Sequence, residues 1–106
     1  MTTFDERGKG QESKFAHDQE LAFRITARRN KLLGQWVAAK IGLTGAAAES
    51  YAQEVVASDF VEAGEEDVYR KVAADLAKHK VDLSEHRIRR EMAELHETAR
   101  QQIQKG

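Results

Sequence analysis

The sequence predicts an all-α protein, a small antiparallel four-helix bundle preceded by a flexible N-terminal arm. Three observations point there. None of the 106 residues is proline, the strongest breaker of a helix interior. Ala, Glu, Lys, Arg, Gln and Leu are abundant, and these side chains lose little freedom in a helix. Apolar residues recur at three- and four-residue spacing in four stretches, the period of a helix with one buried face. A chain of this length makes one domain with a modest core.

The first dozen residues are polar, with Gly8 and Gly10 close together. Glycine loses the most backbone entropy on ordering, so residues 1–12 are expected to be a mobile arm and residues 13–106 the bundle. A helical pattern starts near Ser13 or Asp18 and places Leu21, Ile25, Leu32, Trp36 and Ile41 near one face, widened by Leu33 and Val37. The stripe breaks at Arg28-Arg29-Asn30-Lys31, so the turns before it are expected to project past the core. Gly42 supplies a left-handed stop.

Thr44 is placed to cap the second helix with its hydroxyl. In that helix Ala48, Tyr51, Ala52, Val55, Val56 and Phe60 repeat before Gly64 ends it. Glu65, Glu66 and Asp67 open the third helix, where carboxylates complement the positive end of the helix dipole. Val68, Tyr69, Val72, Ala73 and Leu76 form its inner face, and Lys78 and Lys80 suit its C-terminal end. Ser84 caps the last helix, with Leu83 and Ile88 at the spacing of a hydrophobic staple. Ile88, Met92, Leu95, Ala99 and Ile103 continue its stripe. Short connections make antiparallel neighbours. Trp36, Tyr51, Phe60 and Tyr69 read as packing residues.

Net charge is only −1, yet it is laid out in blocks. Residues 21–45 carry Arg24, Arg28, Arg29, Lys31 and Lys40 and no acid. Residues 46–67 carry seven acids and no base. Two antiparallel helices with complementary faces suit this arrangement, and the same blocks could also steer a charged partner.

The chemistry classes fall away one by one. Cysteine is absent, which removes disulfides and thiolate-bound metals. The first ten residues hold no apolar stretch that would serve as a signal peptide, and no run approaches a membrane span, so a cytoplasmic protein is expected. There is no GxxxxGK[ST] loop and no GxGxxG after a strand. A di-iron bundle needs Glu-x-x-His pairs, but Lys14, Leu76, Leu83 and Ala93 stand three residues before the four histidines. No serine sits on a nucleophile elbow. Catalysis is not expected, and no cofactor is required. Nucleic-acid binding needs a broad positive face, against which the acidic second helix and near-neutral total argue. Arg28, Arg29 and Lys31 remain candidates for an anion or nucleotide contact.

Several segments together carry a family resemblance. They are Lys14-Phe15-Ala16-His17-Asp18, Ala27-Arg28-Arg29-Asn30-Lys31-Leu32-Leu33-Gly34-Gln35-Trp36 and Gly42-Leu43-Thr44-Gly45. Tyr51-Ala52-Gln53-Glu54-Val55-Val56, Asp59-Phe60, Ala63-Gly64, Glu66-Asp67-Val68 and Ile88-Arg89-Arg90 extend it over nearly the whole chain. In order and spacing the chain resembles the zeta subunit of alphaproteobacterial F-type ATP synthases. The resemblance implies a regulatory subunit that binds the catalytic head and restrains ATP hydrolysis. It implies that the N-terminal segment enters an interface between catalytic and noncatalytic subunits and reaches the central rotor, with the bundle outside as docking module. Some family members are associated with weak binding of adenine nucleotide (ATP or ADP).

Carried onto this chain, the inhibitory segment runs from Phe4 through Asp18. Its partner-binding residues are Phe4, Asp5, Arg7, Lys9, Lys14, Phe15, His17 and Asp18, with Phe4 and Phe15 as apolar anchors. The expected location is cytoplasmic, peripheral to the inner membrane through the synthase, without membrane insertion, and the free chain is expected to be a monomer. The rival expectation is a nucleotide-responsive helical interaction module without an inhibitory role.

Overall fold

The structure is a computed structural model. It describes the backbone of residues 3–59 and 65–105 and, within those ranges, the side chains from His17 onward. Four helices appear among the described residues: α1 (Thr3–Lys40), α2 (Gly45–Ser58), α3 (Glu66–Lys78) and α4 (Glu85–Lys105). Helix α1 lies against α2 and α4 on its two sides, and α3 touches all three. Pairs such as Lys31 with Glu49 and Ala27 with Val56 show that α1 and α2 run antiparallel. Arg87 beside Trp36 and Arg28 bonded to Gln102 show the same for α1 and α4.

Helix α1 starts at Thr3, about ten residues earlier than the apolar pattern predicts. Once its packed half exists, each added residue gains a backbone hydrogen bond without a new nucleus. Glycines at 8 and 10 weaken such a helix without breaking it. At 38 residues it spans about 57 Å and sets the long axis of a molecule measuring 63 × 26 × 22 Å. From His17 to Arg24 only Leu21 is part-covered, and Ile25 is the first buried side chain. The turns from His17 to Arg24 therefore stand beyond the core.

The buried stripe of α1 is rotated from the expected one. Ile25, Leu33, Val37 and Ala38 are buried, together with Arg29, Asn30 and Gly34, whereas Leu32 and Trp36 are half-buried. A helix flanked on both sides turns the middle of its contact arc inward, and that middle is the 25-29-33-37 row. Trp36 sits at the edge of the core with Lys40 Nζ and the Arg87 guanidinium each 5.3 Å from its ring. Leu33, Val37, Val55, Val68, Val72, Leu76, Ile88 and Met92 form the centre, each contributing roughly 1.5–3 kcal/mol before entropy is subtracted.

Two helix ends share one backbone motif. After α1 the Leu43 amide donates to Ala38 O and the Gly42 amide to Ala39 O, with Gly42 at φ +86°. After α3 the Val81 amide donates to Leu76 O and the Lys80 amide to Ala77 O, with Lys80 at φ +61°. Both are Schellman ends, and in the second a lysine holds the position that favours glycine. At the start of α4, Ser84 Oγ accepts from the Arg87 amide, as expected. Thr44 holds the N-cap position of α2, but its hydroxyl makes no capping bond and Gly45 follows at φ +57°. Helix α2 closes at Ser58, short of the expected Gly64: the Ser58 hydroxyl donates to Val55 O and the Asp59 amide to Val56 O. Phe60 and Gly64, expected within that helix, lie outside the described residues.

Helices α1 and α2 approach closely at Gly34. A Cβ added at Gly34 would lie 2.6 Å from Ala52 Cα and 3.3 Å from Ala52 O. Since the obstacle is backbone, the helices must move apart to accept it. Gly34→Ala should lower stability by about 1–3 kcal/mol despite alanine's better helix propensity. A lower urea midpoint at unchanged slope is the expected readout.

Beside this contact, the Tyr51 hydroxyl donates to Asp75 Oδ2 at 2.7 Å, and Lys71 Nζ bonds both Asp75 and Glu54. Burial, then the bond and charge of Asp75, push the Tyr51 phenol well above its ordinary value. For Lys71, burial pulls downward but is outweighed by its bonds to Asp75 and Glu54, so its value is raised. In both cases the unfolded chain loses its proton first. These contributions are intact below about pH 10 and decline as pH rises through the ordinary tyrosine and lysine range. Tyr51→Phe should cost about 0.5–1.5 kcal/mol at pH 7 and should show a shallower loss above pH ~10, measured as urea midpoint against pH.

Candidate functional site

Helix α1 carries every residue that the sequence points to. Phe4, Asp5, Arg7, Lys9, Lys14 and Phe15 belong to its first turns, where only the backbone is described. His17 and Asp18 are adjacent and exposed on the next turn. Helical geometry alone separates the basic run that follows. Positions three apart share a face while the neighbouring position does not, so Arg28 and Lys31 go one way and Arg29 another.

Arg29 is turned inward, 4% exposed. Its Nε donates to Asn30 Oδ1 at 2.6 Å and its Nη1 to Glu65 Oε2 at 3.2 Å. Asn30 is fully buried and its Nδ2 has no partner. A polar pocket of about 240 Å³ adjoins them, lined by Thr26, Arg29, Asp59, Glu65 and His96. An anion entering it to reach Arg29 would also meet two carboxylates. Arg28 and Lys31 face the other side of α1, where Arg28 Nε donates to Gln102 Oε1 at 2.7 Å and Lys31 Nζ lies 3.9 Å from Glu49 Oε1. The three cations therefore do not converge on one ligand.

What Arg28 and Lys31 do share is an open groove between α2 and α4. Its floor includes Phe23, Ala27, Val56 and Ile103. Among the described residues, the expected charge complementarity of the first two helices comes down to the long Lys31–Glu49 pair, with Arg29–Glu65 joining α1 to the start of α3. Most other pairs lie within α3 and α4, or join them through Arg89, which bonds Glu85 and Glu66 and stacks 4.1 Å from the Tyr69 ring. A second concavity, of about 320 Å³, lies at the α3–α4 turn among Ala73, Leu76, Val81, Leu83 and Ile88. It is a dimple in the core surface. Among the described residues no group of three or more His, Cys, Asp or Glu side chains could hold a metal ion, and no helix is long and apolar enough to cross a membrane.

Sequence reasoning did not single out Asn30, Gly34, Phe23 or the pairing of Arg29 with Glu65. The first two had a signal, since both fall in the row 25-29-33-37 or directly beside it. Phe23 had none, because it lies off every stripe.

The profile of one protein family, described as ATPase inhibitor subunit zeta, matches residues 1–102. The chain belongs to that family. A comparison with curated proteins finds no match. Among solved structures, one determined by solution NMR is 44% identical, covers 78% of this chain and 94% of its own, and superposes with a TM-score of 0.69. The resemblance read from the sequence is thus shown, and so is the all-α bundle. Membership in an inhibitor-subunit family supports a regulatory role toward the ATP synthase, in association with that enzyme complex.

The buried network is structural and can be tested as such. Arg29→Met keeps the side-chain stem but leaves Asn30 without its partner, in a place water does not reach. A loss of about 1–3 kcal/mol is expected, read as a lower urea midpoint with helical circular dichroism retained.

Proposed function

We propose that this chain docks on the catalytic head of the F-type ATP synthase and restrains ATP hydrolysis through its N-terminal segment, Phe4 through Asp18. That segment enters an interface between catalytic and noncatalytic subunits and reaches the central rotor, while the packed bundle behind it holds it in place from outside. The chain is in this reading a peripheral regulatory subunit and not a catalyst. Family membership supports the inhibitory role, and the observation that carries the mechanism is the length of α1. Among the residues whose side chains are described, the first buried one on α1 is Ile25, and the same helix runs for 22 residues from Thr3 to Arg24, about 33 Å of rise. A rod of that length reaches well inside a partner while its base stays packed.

Composition supports the same division of labour. The arm, residues 1–12, has polar side chains in number and glycines at 8 and 10, each costing about 1 kcal/mol in a helix relative to alanine. Docking supplies the packing that such a segment lacks in its own sequence, at the cost of its ordering entropy.

Deleting residues 1–14 is the direct test. The core begins at Ile25, so the truncated chain should keep its helical spectrum and urea midpoint. It should bind the purified synthase yet leave ATP hydrolysis uninhibited at concentrations where the intact chain inhibits fully. Equal inhibition by both chains would show that the N-terminal segment is not the active part.

A further inference from the structure

The groove beside α1 combines two unusual properties. It holds about 330 Å³ of open space over an apolar floor. Its floor includes Phe23, the one exposed large hydrophobic side chain among the described residues, at 58%. Arg24, Arg28 and Lys31 line its α1 side, at spacings of four and three that place them along one helical edge.

The second property is electrostatic. Every other arginine with a described side chain is paired with a carboxylate. Arg29 pairs with Glu65, Arg70 with Asp67 and Arg87 with Glu91. Arg89 pairs with Glu66 and Glu85, Arg90 with Glu94 and Arg100 with Glu97. Among the described residues Arg24 and Arg28 have no such pair, and the one printed bond of Arg28 goes to the neutral amide of Gln102. In a chain whose acids outnumber its bases, these two described guanidiniums without a counter-charge sit together at the rim of an opening with a mainly apolar lining.

We infer that this groove is the docking surface for an amphipathic helix of the synthase's catalytic head, one with an apolar stripe flanked by carboxylates. The inference rests on the head-docking reading above and specifies its contact. Helix-in-groove recognition needs an apolar trough and a register-setting edge. From Arg24 to Lys31 the rim rises about 10.5 Å, two helical turns, which matches carboxylates spaced three or four residues apart on a partner helix. Location supports the same occupant. The groove lies where α1 leaves the bundle, so a partner holding residues up to Asp18 is within two turns of it. A membrane surface fits less well, because the apolar area is a trough and not a protruding face.

Charge reversal of the rim tests this on the full-length chain. Arg24→Glu with Arg28→Glu breaks no ion pair, so circular dichroism and the urea midpoint should remain close to the parent. Affinity for the immobilised purified catalytic head should fall roughly tenfold to a hundredfold, and the parent's affinity should fall more steeply with added salt than the variant's. Arg24→Lys with Arg28→Lys, which keeps the charge, should retain most of the binding. The chain lacking residues 1–14 should also lose affinity on charge reversal, which separates the groove from the inhibitory segment.

Unchanged affinity in the charge-reversed chain would overturn the groove and leave the head-docking reading standing. Failure of the parent chain to bind the head would overturn both. Two further results would overturn the proposed occupant: self-association of the parent in sedimentation, abolished by the substitution, or binding to phosphatidylglycerol vesicles, likewise abolished, with head affinity unaffected.

Discussion

Helix α1 can lie against α2 at its observed distance because residue 34 has no side chain. At that level the backbone of Ala52 occupies the space where a Cβ would stand, 2.6 Å from Ala52 Cα. Close approach at one level brings Leu33 and Val37 on α1 within reach of Tyr51 and Val55 on α2, and all four are buried. From there the order of consequences is mechanical. Tyr51 meets Asp75 on α3, Lys71 on α3 reaches back to Glu54 on α2, and Arg89 on α4 closes the set through Glu66. A wider α1–α2 spacing would loosen each of these, because dense interiors transmit displacement.

The distribution of charge separates what holds the bundle from what it offers. Pairs within one helix, such as Arg87–Glu91 and Arg90–Glu94, are exposed or part-exposed and worth a few tenths of a kcal/mol. Their main effect is to neutralise the surface of α4, leaving a net excess of positive charge beside the groove on α1. Arg29 plays the opposite part. It is buried, spends its donors on Asn30 and Glu65, and ties the start of α3 to α1. Similar sequence neighbours, Arg28 and Arg29, thus have unrelated tasks.

Much of the fold is legible in the sequence because its causes are local. The absence of proline, the four periodic stretches, Gly42 as a left-handed end and Ser84 as a cap each act within one helical turn. The inner faces of α3 and α4 are also legible, since each carries a single stripe: Val68, Val72 and Leu76, then Ile88, Met92 and Ala99. Helix α1 is read less well. Two neighbours flank it, so burial follows the arc they share, and Arg29 and Asn30 fall within that arc despite their polarity. The end of α2 is misjudged for a related reason: Ser58 and Asp59 compete locally for the last carbonyls, which periodicity does not register.

By itself the sequence determined that the chain is helical, that it forms one small bundle, where most turns fall, and which family it resembles over nearly its whole length. Those properties depend on propensity and short-range order, which a linear reading contains. Only the tertiary structure decided which basic residues are buried, which are compensated and which frame an apolar trough. Such distinctions depend on residues far apart in the chain, 36 positions between Arg29 and Glu65 and 74 between Arg28 and Gln102. Charge acts through space, and a side chain's role is set by the counter-charge and the water that folding leaves beside it.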